Sequence, residues 1–530
     1  MTGLFAAPAW WQSGTIYQIY PRSFQDSNAD GVGDLEGIRR RLDYLVELGI
    51  DALWVSPFYP SPMADFGYDV ADYCGVDPIF GTLEDFDRLV SDAHARGLKI
   101  ILDFVPNHTS EKHPWFQDSR QGCDAPKRNW YIWRDPAPDG GPPNNWMSHF
   151  GGSAWEFDPA SGQYYYHAYL RQQPDLNWRN PNVRAAMMDV LRFWLERGVD
   201  GFRVDVIWHL MKDPSFRDNP PNPHYAPGQP AIARHLEIHS TDQPEVLDII
   251  AEMRATLDAY GDKVLIGEIY LPVERLVAYY GAGLSGVHLP FNFQLISAVW
   301  NARNIAELID AYEAALPEGA WPNWVLGNHD RPRVASRIGA AQARVAAVLL
   351  LTLRGTPTLY YGDELGMMDV PVPPEAVQDP WEKNEPGLGL GRDPVRTPMR
   401  WDTSPNAGFS DGRPWLPMGD GPERNVATET QDASSMLALH RRLLELRRAH
   451  PALALGDYEG VSAQGDLLVF WRRTPEESVL VVLNFCHEAA SYQAPGHFRV
   501  PLSTHSGGRE TGEDGTIDLR PDEGLILKPA

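Results

Sequence analysis

The strongest constraint on the fold is an alternation of strand-like and helix-like segments that begins near Thr15. Helical segments with one apolar face end at Gly49, Gly97 and Gly198, and glycine readily adopts the left-handed conformation that ends a helix. Several strands are near-continuous apolar runs, as expected for parallel strands buried on both faces. The eight predicted strands are Thr15–Pro21, Ala52–Phe58, Lys99–Val105, Gly201–Ile207, Lys263–Tyr270, Gly286–Phe293, Trp324–Asp330 and Thr356–Glu364. Eight such units predict an α/β protein with a (β/α)8 TIM barrel.

Two long segments interrupt this alternation. Pro106–Asn182, after the third strand, is too long for a βα loop and predicts an inserted subdomain. Gly366–Gln431, after the eighth strand, is irregular and rich in proline and glycine, and segments of this length are usually functional or disordered. Short β-like runs follow a last predicted helix, Ser434–Ala449, and indicate a small antiparallel C-terminal β-domain. We therefore expect a barrel over residues 1–105 and 183–450, an inserted subdomain over 106–182 and a β-sandwich-like domain over 451–530.

The composition and net charge of the chain indicate which classes of binding partner are disfavoured. The chain has 530 residues, 43% of them hydrophobic, and a net charge of −25 that is spread along its length. This acidity disfavours nucleic acid and an anionic membrane surface as partners and suits a neutral small molecule. The longest apolar run, Val345–Leu353, is shorter than the about 20 residues of a membrane-spanning helix. The sequence does not indicate an oligomeric state.

The cysteines and the N-terminus predict a cytoplasmic protein. Cys74, Cys123 and Cys486 are few, odd in number and far apart, which fits a reducing compartment and gives no metal-ligand spacing. The chain has no basic residue before Arg22, so we expect no secretory signal.

Three acids end apolar strands in the second half of the predicted barrel: Asp205 after the fourth, Glu268 after the fifth and Asp330 after the seventh. Catalytic groups of such barrels lie at the carboxyl ends of the strands, so these acids should face one cleft. Carboxylates brought together repel each other, which packing alone does not require. Arg203 lies two residues before Asp205, on the same face of the strand. A buried structural ion pair is the alternative interpretation of these two residues.

Glycoside hydrolysis with retention uses two such carboxylates. One is a nucleophile that must stay ionised, and the other is a proton donor whose pKa must be raised. Arg203 is placed to keep Asp205 ionised. We therefore predict Asp205 as the nucleophile and Glu268 as the general acid/base.

The chain also resembles glycoside hydrolase family thirteen, the α-amylase superfamily, in its α-glucosidase and oligo-1,6-glucosidase branch. The resemblance covers nearly the whole chain and rests on five motifs in the family's order: DFVPNH at 103–108, QPDLN at 173–177, GFRVDV at 201–206, GEIY at 267–270 and GNHD at 327–330. It implies the same roles for Asp205 and Glu268, with Asp330 as the transition-state stabiliser. It also implies retention of the α anomer and no cofactor for catalysis.

The resemblance implies further residues that bind substrate. His108, His329 and Arg203 match residues that hold the sugar in the deepest subsite. Asp65 and Tyr68 match a carboxylate for sugar hydroxyls and an aromatic platform. Arg396 matches an arginine that pairs with a sugar-binding carboxylate. Phe150 and Tyr169 match residues that line the pocket and are usually phenylalanine. Tyr169 departs from this pattern.

A second site is predicted in the loop after the first strand. Oxygen-bearing side chains alternate along residues 26–34, as in short loops that bind Ca²⁺ or Mg²⁺, but residue 37 is glycine where an EF-hand has its glutamate. The predicted ligands are Asp26, Asn28, Asp30, Val32 through its carbonyl, and Asp34. We expect a structural role for the cation; a polar turn without metal is the alternative.

Two features bear on specificity. In relatives, valine directly after the nucleophile accompanies α-1,6 linkages, so Val206 predicts such substrates, with tolerance that includes α-1,4 bonds or trehalose. The proline-rich segment Trp208–Thr241 should overhang the cleft mouth and influence linkage. We thus expect an exo-acting α-glucosidase on disaccharides or short oligosaccharides. The alternatives are a transglycosylase or isomerase of the trehalose or isomaltulose synthase type and, more remotely, a non-catalytic binding subunit.

Overall fold

Eight parallel strands form the central barrel of the protein, as a computed structural model shows. The structure describes residues 8–419, 421, 423–505 and 515–530, without the side chains of 462–464. Residues 1–7, on which the expectation about a secretory signal partly rests, lie outside this range. The barrel strands are β1 (Ile16–Ile19), β2 (Ala52–Val55), β3 (Lys99–Phe104), β4 (Gly201–Val204), β5 (Val264–Gly267), β6 (Leu289–Pro290), β7 (Asn323–Val325) and β8 (Thr356–Tyr360).

The predicted barrel is confirmed by the order of its strands. β8 pairs with β1, and the strands then follow in sequence to β6, all parallel. A parallel bridge between Asn292 and Trp324 joins β6 to β7 and closes the ring. The register places Arg203 of β4 beside Asp103 of β3. Every predicted strand is present, although each is shorter than its apolar run because the carboxyl ends turn into loops that carry polar residues.

Helices surround the barrel and cap its ends. Gly49 ends one of them with φ 102°, as predicted from the sequence, and its N–H donates to the carbonyls of Leu45 and Val46. Among the described residues, no helix combines the length and apolar character needed to cross a membrane. The α-helices are Trp10–Ser13, Pro21–Phe24, Leu35–Arg40, Leu42–Leu48, Leu83–Ala95, Pro114–Ser119, Pro181–Glu196, Val246–Asp258, Val273–Leu276, Gln294–Ser297, Ala302–Ala315, Val334–Ile338, Ala340–Thr352, Pro380–Asn384, Val426–Thr430, Met436–Ala449 and Pro451–Leu455.

A small antiparallel sheet lies between β3 and β4 in the chain. Its strands are Trp133–Arg134, Trp155–Asp158 and Gln163–Tyr166, with the last in the centre. A cluster of buried aromatic side chains that includes Trp146 packs against it. The segment returns to the barrel at the QPDLN motif, where His108 and Asp175 form an antiparallel bridge. The insertion is therefore joined to the barrel at the carboxyl end of β3.

The C-terminal residues form an antiparallel sheet of five strands and a pair of two. The five follow the order Asp457–Gln464, Leu467–Arg473, Ser478–Asn484, Gly524–Pro529 and Phe498–Ser503, and the pair is Ala490–Gln493 with Thr516–Leu519. The antiparallel C-terminal domain is confirmed. Two strands were not predicted from the sequence, Asp457–Gln464 and Ala490–Gln493. The glycine and polar residues of Asp457–Gln464 obscure its strand pattern. The division of the chain at 105/106, 182/183 and 450/451 stays a prediction.

Candidate active site

A cavity of about 240 Å³ opens at the carboxyl ends of the barrel strands. The barrel, the insertion after β3 and the loops after β4 and β8 all contribute to its wall. Of the predicted substrate-binding and catalytic residues, Arg203 and Arg396 are fully buried behind the wall rather than in it. The lining residues are Asp65, Tyr68, His108, His149, Phe150, Tyr169, Asp205, Val206, Trp208, Glu237, Glu268, Tyr270, His329, Asp330, Arg331, Trp381 and Arg392.

Arg203 joins three carboxylates at the bottom of this cavity. Its Nη1 lies 2.7 Å from Oδ1 of Asp205 and 2.7 Å from Oδ1 of Asp103. Its Nη2 lies 2.7 Å from Oε2 of Glu268. Neighbouring strands bring these groups together, because β4 lies between β3 and β5. The sequence placed Asp103 within a motif without assigning it a role; its position on the inner face of β3 was the available signal.

Burial controls the protonation of this cluster. It raises the pKa of Asp205 well above its ordinary value and raises that of Glu268, although Arg203 acts against both shifts. It also raises the pKa of Asp103 to about 6. Arg203 favours the ionised form of Asp205, as predicted, but the same guanidinium serves three buried acids and the effect of burial is larger. One positive charge cannot neutralise three carboxylates, so the cluster favours retention of a proton near neutral pH.

Val206 follows Asp205 in a left-handed backbone conformation with φ 39° and ψ 45°. This conformation is costly for a β-branched residue, by about 1–3 kcal/mol, and such strain is concentrated at functional sites. The turn directs the N–H of Val206 to Oε2 of Glu268 at 2.9 Å. The backbone after the predicted nucleophile thus positions the predicted acid/base.

Asp330 lies in a positively charged part of the cavity. Its Oδ1 is 2.8 Å from Nη2 of Arg396 and 3.4 Å from Nη1 of Arg392. Burial alone would raise the pKa of Asp330, but His329, Arg396 and Arg392 outweigh it and hold the pKa well below the ordinary value. Asp330 is therefore an anion at neutral pH, in contrast to the cluster around Arg203.

Arg392 is a residue that the sequence reasoning missed. Its Nη2 lies 2.6 Å from Oδ1 of Asp65 and 2.7 Å from Oδ1 of Asp379. Arg396, predicted to pair with a sugar-binding carboxylate, pairs with Asp330, and Asp65 pairs with Arg392. The guanidinium also lies 5.0 Å from the ring of Phe150. The irregular segment after β8 thus supplies the cation that holds Asp65 in place.

Tyr68 and His329 form a stacked pair, with ring centroids 5.3 Å apart and planes inclined by 3°. The hydroxyl of Tyr68 donates to Oδ2 of Asp103 at 3.0 Å and lies 2.7 Å from Nε2 of His329. Gln18 contacts the other ring nitrogen, Nδ1, at 2.8 Å. Burial lowers the pKa of His329 well below its ordinary value, so its ring is neutral. A rigid aromatic face results, of the kind on which a sugar ring packs.

A buried network fixes His108 beside this face. Asn107 donates to Nδ1 of His108 at 3.2 Å and to Asp175 at 2.9 Å. Lys212 donates to the carbonyl oxygen of the Asn107 side chain at 2.8 Å and pairs with Asp175 at 2.5 Å. Burial lowers the pKa of His108, which keeps it neutral. Its Nε2 then carries the proton and lies 3.1 Å from the carbonyl of Tyr68.

The outer part of the cavity is formed mainly by loops. Tyr169 stacks on His149 with centroids 4.9 Å apart, and Nε2 of His149 lies 3.3 Å from Oε1 of Glu237. Glu237 belongs to the proline-rich segment after β4, which the sequence expected at the cleft mouth. Trp381 approaches from the segment after β8 and meets Phe150 at 5.6 Å between centroids. Sequence reasoning gave no role to His149, Glu237 or Trp381, because no periodic pattern marks them.

The loop after β1 has the predicted donor types, but its side chains bind its own backbone. Asp26 accepts from the N–H groups of Asn28 and Gly31, and Asn28 accepts from that of Asp30. Asp34 accepts from the N–H of Gly37. Within the described part of the chain, no three His, Cys, Asp or Glu side chains come together as ligands for a cation. The oxygen donors still suit a hard cation, so the site stays a prediction.

Comparisons with known proteins agree with this architecture. The chain is 44% identical over 512 residues to a probable alpha-glucosidase of Rhizobium meliloti, covering 94% of this chain and 93% of the relative. It is 36% identical over 564 residues to an oligo-1,6-glucosidase of Parageobacillus thermoglucosidasius, covering 98% and 99%. The crystal structure of an alpha-glucosyl transfer enzyme, XgtA, superposes with a TM-score of 0.93 at 40% identity, covering 99% of this chain and 100% of that one.

The family itself follows from a separate match. The model of the family described as "Alpha amylase, catalytic domain" matches residues 18–456, which include the second half of β1, the other seven barrel strands and the insertion. The cavity with its three acids lies within the matched residues. The chain is a member of the α-amylase family of glycoside hydrolases.

Proposed function

We propose that the protein is a retaining, exo-acting α-glucosidase that removes terminal α-linked glucose from disaccharides and short oligosaccharides. The observation that carries this proposal is the placement of Asp205 and Glu268 on neighbouring strands, both in contact with Arg203 at the closed end of one cavity. Two carboxylates facing one pocket are what a retaining glycosidase requires. A closed end favours the removal of terminal units over cleavage within a chain.

The proposed mechanism gives the acids different roles. In it, the proton shared by the cluster is on Glu268, which gives it to the departing glycosidic oxygen. Once Glu268 is protonated, its repulsion of Asp205 is relieved, and Arg203 stabilises the ionised Asp205 that attacks the anomeric carbon. The resulting glucosyl-enzyme ester is broken by water, from which Glu268 takes a proton. Asp330, ionised throughout, stabilises the positive charge that develops on the sugar ring.

The other buried residues bind the glucose unit. The stacked pair of Tyr68 and His329 packs against the sugar ring, and Asp65, held by Arg392, accepts hydrogen bonds from its hydroxyls. His108 lines the cavity beside the bound sugar. Phe150 and Tyr169 close the pocket from the insertion. The proposed mechanism includes no cofactor.

The test is hydrolysis by the purified protein and by its Asp205→Asn variant. We expect release of glucose from at least one of isomaltose, maltose and trehalose by the unmodified protein, with the α anomer appearing first in an NMR time course. Asp205→Asn should abolish hydrolysis while the circular dichroism spectrum is unchanged. Retained hydrolysis in the variant would overturn the assignment of the nucleophile, and a protein that binds sugars without cleaving them would favour a binding subunit.

Transfer of glucose to a second sugar is the alternative that a specific observation favours. XgtA, described as an alpha-glucosyl transfer enzyme, shares 40% identity and nearly the full length of this chain. Water and sugar compete for the same glucosyl-enzyme ester, so residues at the mouth decide between them. Product analysis at high disaccharide concentration separates the two functions: new disaccharides or trisaccharides indicate a transglycosylase or isomerase, and free glucose indicates a hydrolase.

We infer a preference for α-1,6 bonds from Val206. This residue lies in the cavity wall next to both acids. An oligo-1,6-glucosidase is among the relatives. Tolerance of α-1,4 bonds or trehalose is part of the proposal. Isomaltose should be the best of the three disaccharides, and absence of its turnover would refute the preference.

We also propose a structural Ca²⁺ or Mg²⁺ in the loop after β1 and a cytoplasmic location. Asp26, Asn28 and Asp30 would hold the ion with Asp34 and the carbonyl of Val32, and the ion would stabilise the loop without taking part in the chemistry. Addition of Ca²⁺ should raise Tm and EDTA should lower it; no change in either would refute the site. The free cysteines support the cytoplasm, which fractionation of cells tests.

A further inference from the structure

The mouth of the cavity contains a carboxylate that the proposed chemistry does not use. Glu237 lines the cavity, and 32% of its side chain is exposed, against 23% for Asp330, 9% for Asp205 and 5% for Glu268. Its position is therefore outside the buried acids, on the side from which solvent enters. A glucose unit in the buried end would leave its departing group facing this outer region.

Glu237 is held in place from both sides. The preceding residue, Leu236, donates its N–H to the carbonyl of Pro220 at 2.9 Å, and the hydroxyl of Thr241 donates to the carbonyl of Glu237 at 2.8 Å. The same segment is tied to the insertion, because Asn219 and Asn145 exchange two hydrogen bonds of 2.8 Å. The backbone at Glu237 is thus fixed by the fold, and its side chain extends toward the cavity from a fixed point.

The surroundings of the carboxylate leave room for a ligand. His149, at 3.3 Å from Oε1, is fixed by its stack on Tyr169. An ionised carboxylate accepts about four hydrogen bonds, and among the described contacts this histidine is the neighbour of Glu237 on the cavity side. Tyr169, which lines the cavity and stacks on His149, supplies an aromatic ring in the same region. An acceptor group beside an aromatic face is suited to a polyhydroxylated ring.

We propose that Glu237 recognises the departing sugar by accepting hydrogen bonds from its hydroxyls, and that it helps to set which α-glucosides are cleaved. This inference rests on the proposed α-glucosidase function and names the substrate class: glucosides whose departing group is a neutral sugar. Aryl glucosides lack the hydroxyls that Glu237 binds. A departing group with its own negative charge would be repelled.

The experiment compares Glu237→Gln with the unmodified protein on isomaltose, maltose and p-nitrophenyl α-glucoside. Glu274→Gln is the matched control, because Glu274 is an exposed acid that does not line the cavity. We expect Glu237→Gln to lower kcat/KM for the preferred disaccharide about tenfold relative to the aryl glucoside, the effect of one lost hydrogen bond to a charged group. Glu274→Gln should leave the ratio unchanged, and the Tm of both variants verifies folding.

Inhibition by glucose, which fills the buried end, locates the effect. We expect the same glucose inhibition constant for Glu237→Gln and the unmodified protein. An unchanged ratio of disaccharide to aryl glucoside would overturn the inference, as would an equal loss on all substrates with weaker glucose binding. If the unmodified protein cleaved none of the three glucosides, the proposed function itself would fail, which is a separate outcome.

Discussion

The buried end of the cavity and its mouth differ in how their charged groups are paired and exposed. At the buried end, Arg203 contacts three carboxylates and Arg392 contacts two at 2.6 and 2.7 Å, in an interior where an unpaired charge is costly. At the mouth, Glu237 and His149 are partly exposed and lie 3.3 Å apart. Charges at the buried end must be paired, because an unpaired buried charge would destabilise the fold. Charges at the mouth are partly solvated, so their type and position can serve ligand binding.

This contrast assigns chemistry to one region and selectivity to the other. A change at the buried end should affect every α-glucoside and, for the arginines, the stability of the protein. A change at the mouth should affect some substrates more than others and leave stability nearly unchanged. The predictions below test this division, in order of decreasing effect.

Loss of the proton donor should have the largest effect. Glu268→Gln should lower kcat/KM for isomaltose by up to about 10⁴-fold, the range of general acid catalysis. p-Nitrophenyl α-glucoside should lose less, because its leaving group departs without a proton. Steady-state kinetics on both substrates measure the difference. An equal loss on both would show that Glu268 is not the acid.

Removal of the shared guanidinium should destabilise the protein. Arg203→Met leaves Asp103, Asp205 and Glu268 without their common partner, which should cost about 3–5 kcal/mol of unfolding free energy. Denaturant unfolding of this variant measures the cost. The control is Arg171→Met, since Arg171 is 66% exposed and lies 3.9 Å from Glu156; such a surface pair contributes about 0–1 kcal/mol. Equal stability of both variants would contradict the role of Arg203.

Arg392 should matter for binding of the glucose unit. Without it, Asp65 and Asp379 lose their partner and Asp65 no longer stays in place for the sugar hydroxyls. Arg392→Met should lower kcat/KM about 10–100-fold on disaccharide and aryl glucoside alike, since hydrogen bonds to charged groups contribute about 1.5–3 kcal/mol. Glucose should inhibit this variant more weakly. Unchanged inhibition by glucose would place Arg392 outside the binding machinery.

The pH profile should reflect the raised pKa of the carboxylate pair. Burial raises the pKa of Glu268, so its proton is lost as pH rises through the raised value, and activity should fall about tenfold per pH unit above it. The same shift has a thermodynamic sign: the folded protein binds this proton more tightly than the unfolded chain, so the contribution to stability declines as pH rises from the ordinary pKa to the raised one. Initial rates measured over a series of pH values give the profile. An alkaline limb unchanged in Glu268→Gln would contradict the assignment.

A change at the boundary between the two regions should have the smallest effect. Val206→Thr adds a hydroxyl next to both acids without changing the backbone turn. The ratio of kcat/KM for isomaltose to that for maltose should fall by at most about tenfold, with no loss of stability. Competition assays with both sugars measure this ratio. A ratio that stayed constant would show that linkage is selected elsewhere in the mouth.

The sequence predicted the parts of this molecule that follow a repeated physical rule. Parallel strands buried on both faces are continuously apolar, so the sequence predicted the barrel. The barrel in turn predicted that the acids at its strand ends face one cleft. Arg392 and Trp381 were missed because the segment after β8 has no periodicity to show where its side chains point. Asp103 was in view as part of a motif, but only the pairing of β3 with β4 reveals that it shares Arg203 with Asp205.

The protonation of the cluster could not be predicted from spacing alone. The spacing of Arg203 and Asp205 predicted a nucleophile paired with one arginine. In the structure, Asp103 and Glu268 contact the same guanidinium. All four groups are buried, and residue spacing alone does not report burial. The role of Glu237 likewise depends on how a proline-rich loop is tied to Asn145, which no local pattern encodes.

The central claim is that Asp205 forms a covalent bond with glucose at the buried end of the cavity. Reaction with 5-fluoro-α-glucosyl fluoride, whose ester intermediate hydrolyses slowly, followed by mass spectrometry of the peptides, tests it most directly. The account predicts one added fluoroglucosyl group on the peptide that contains Asp205, and none in Asp205→Asn. A label on any other residue, or turnover with no label and inversion of the anomer, would contradict it.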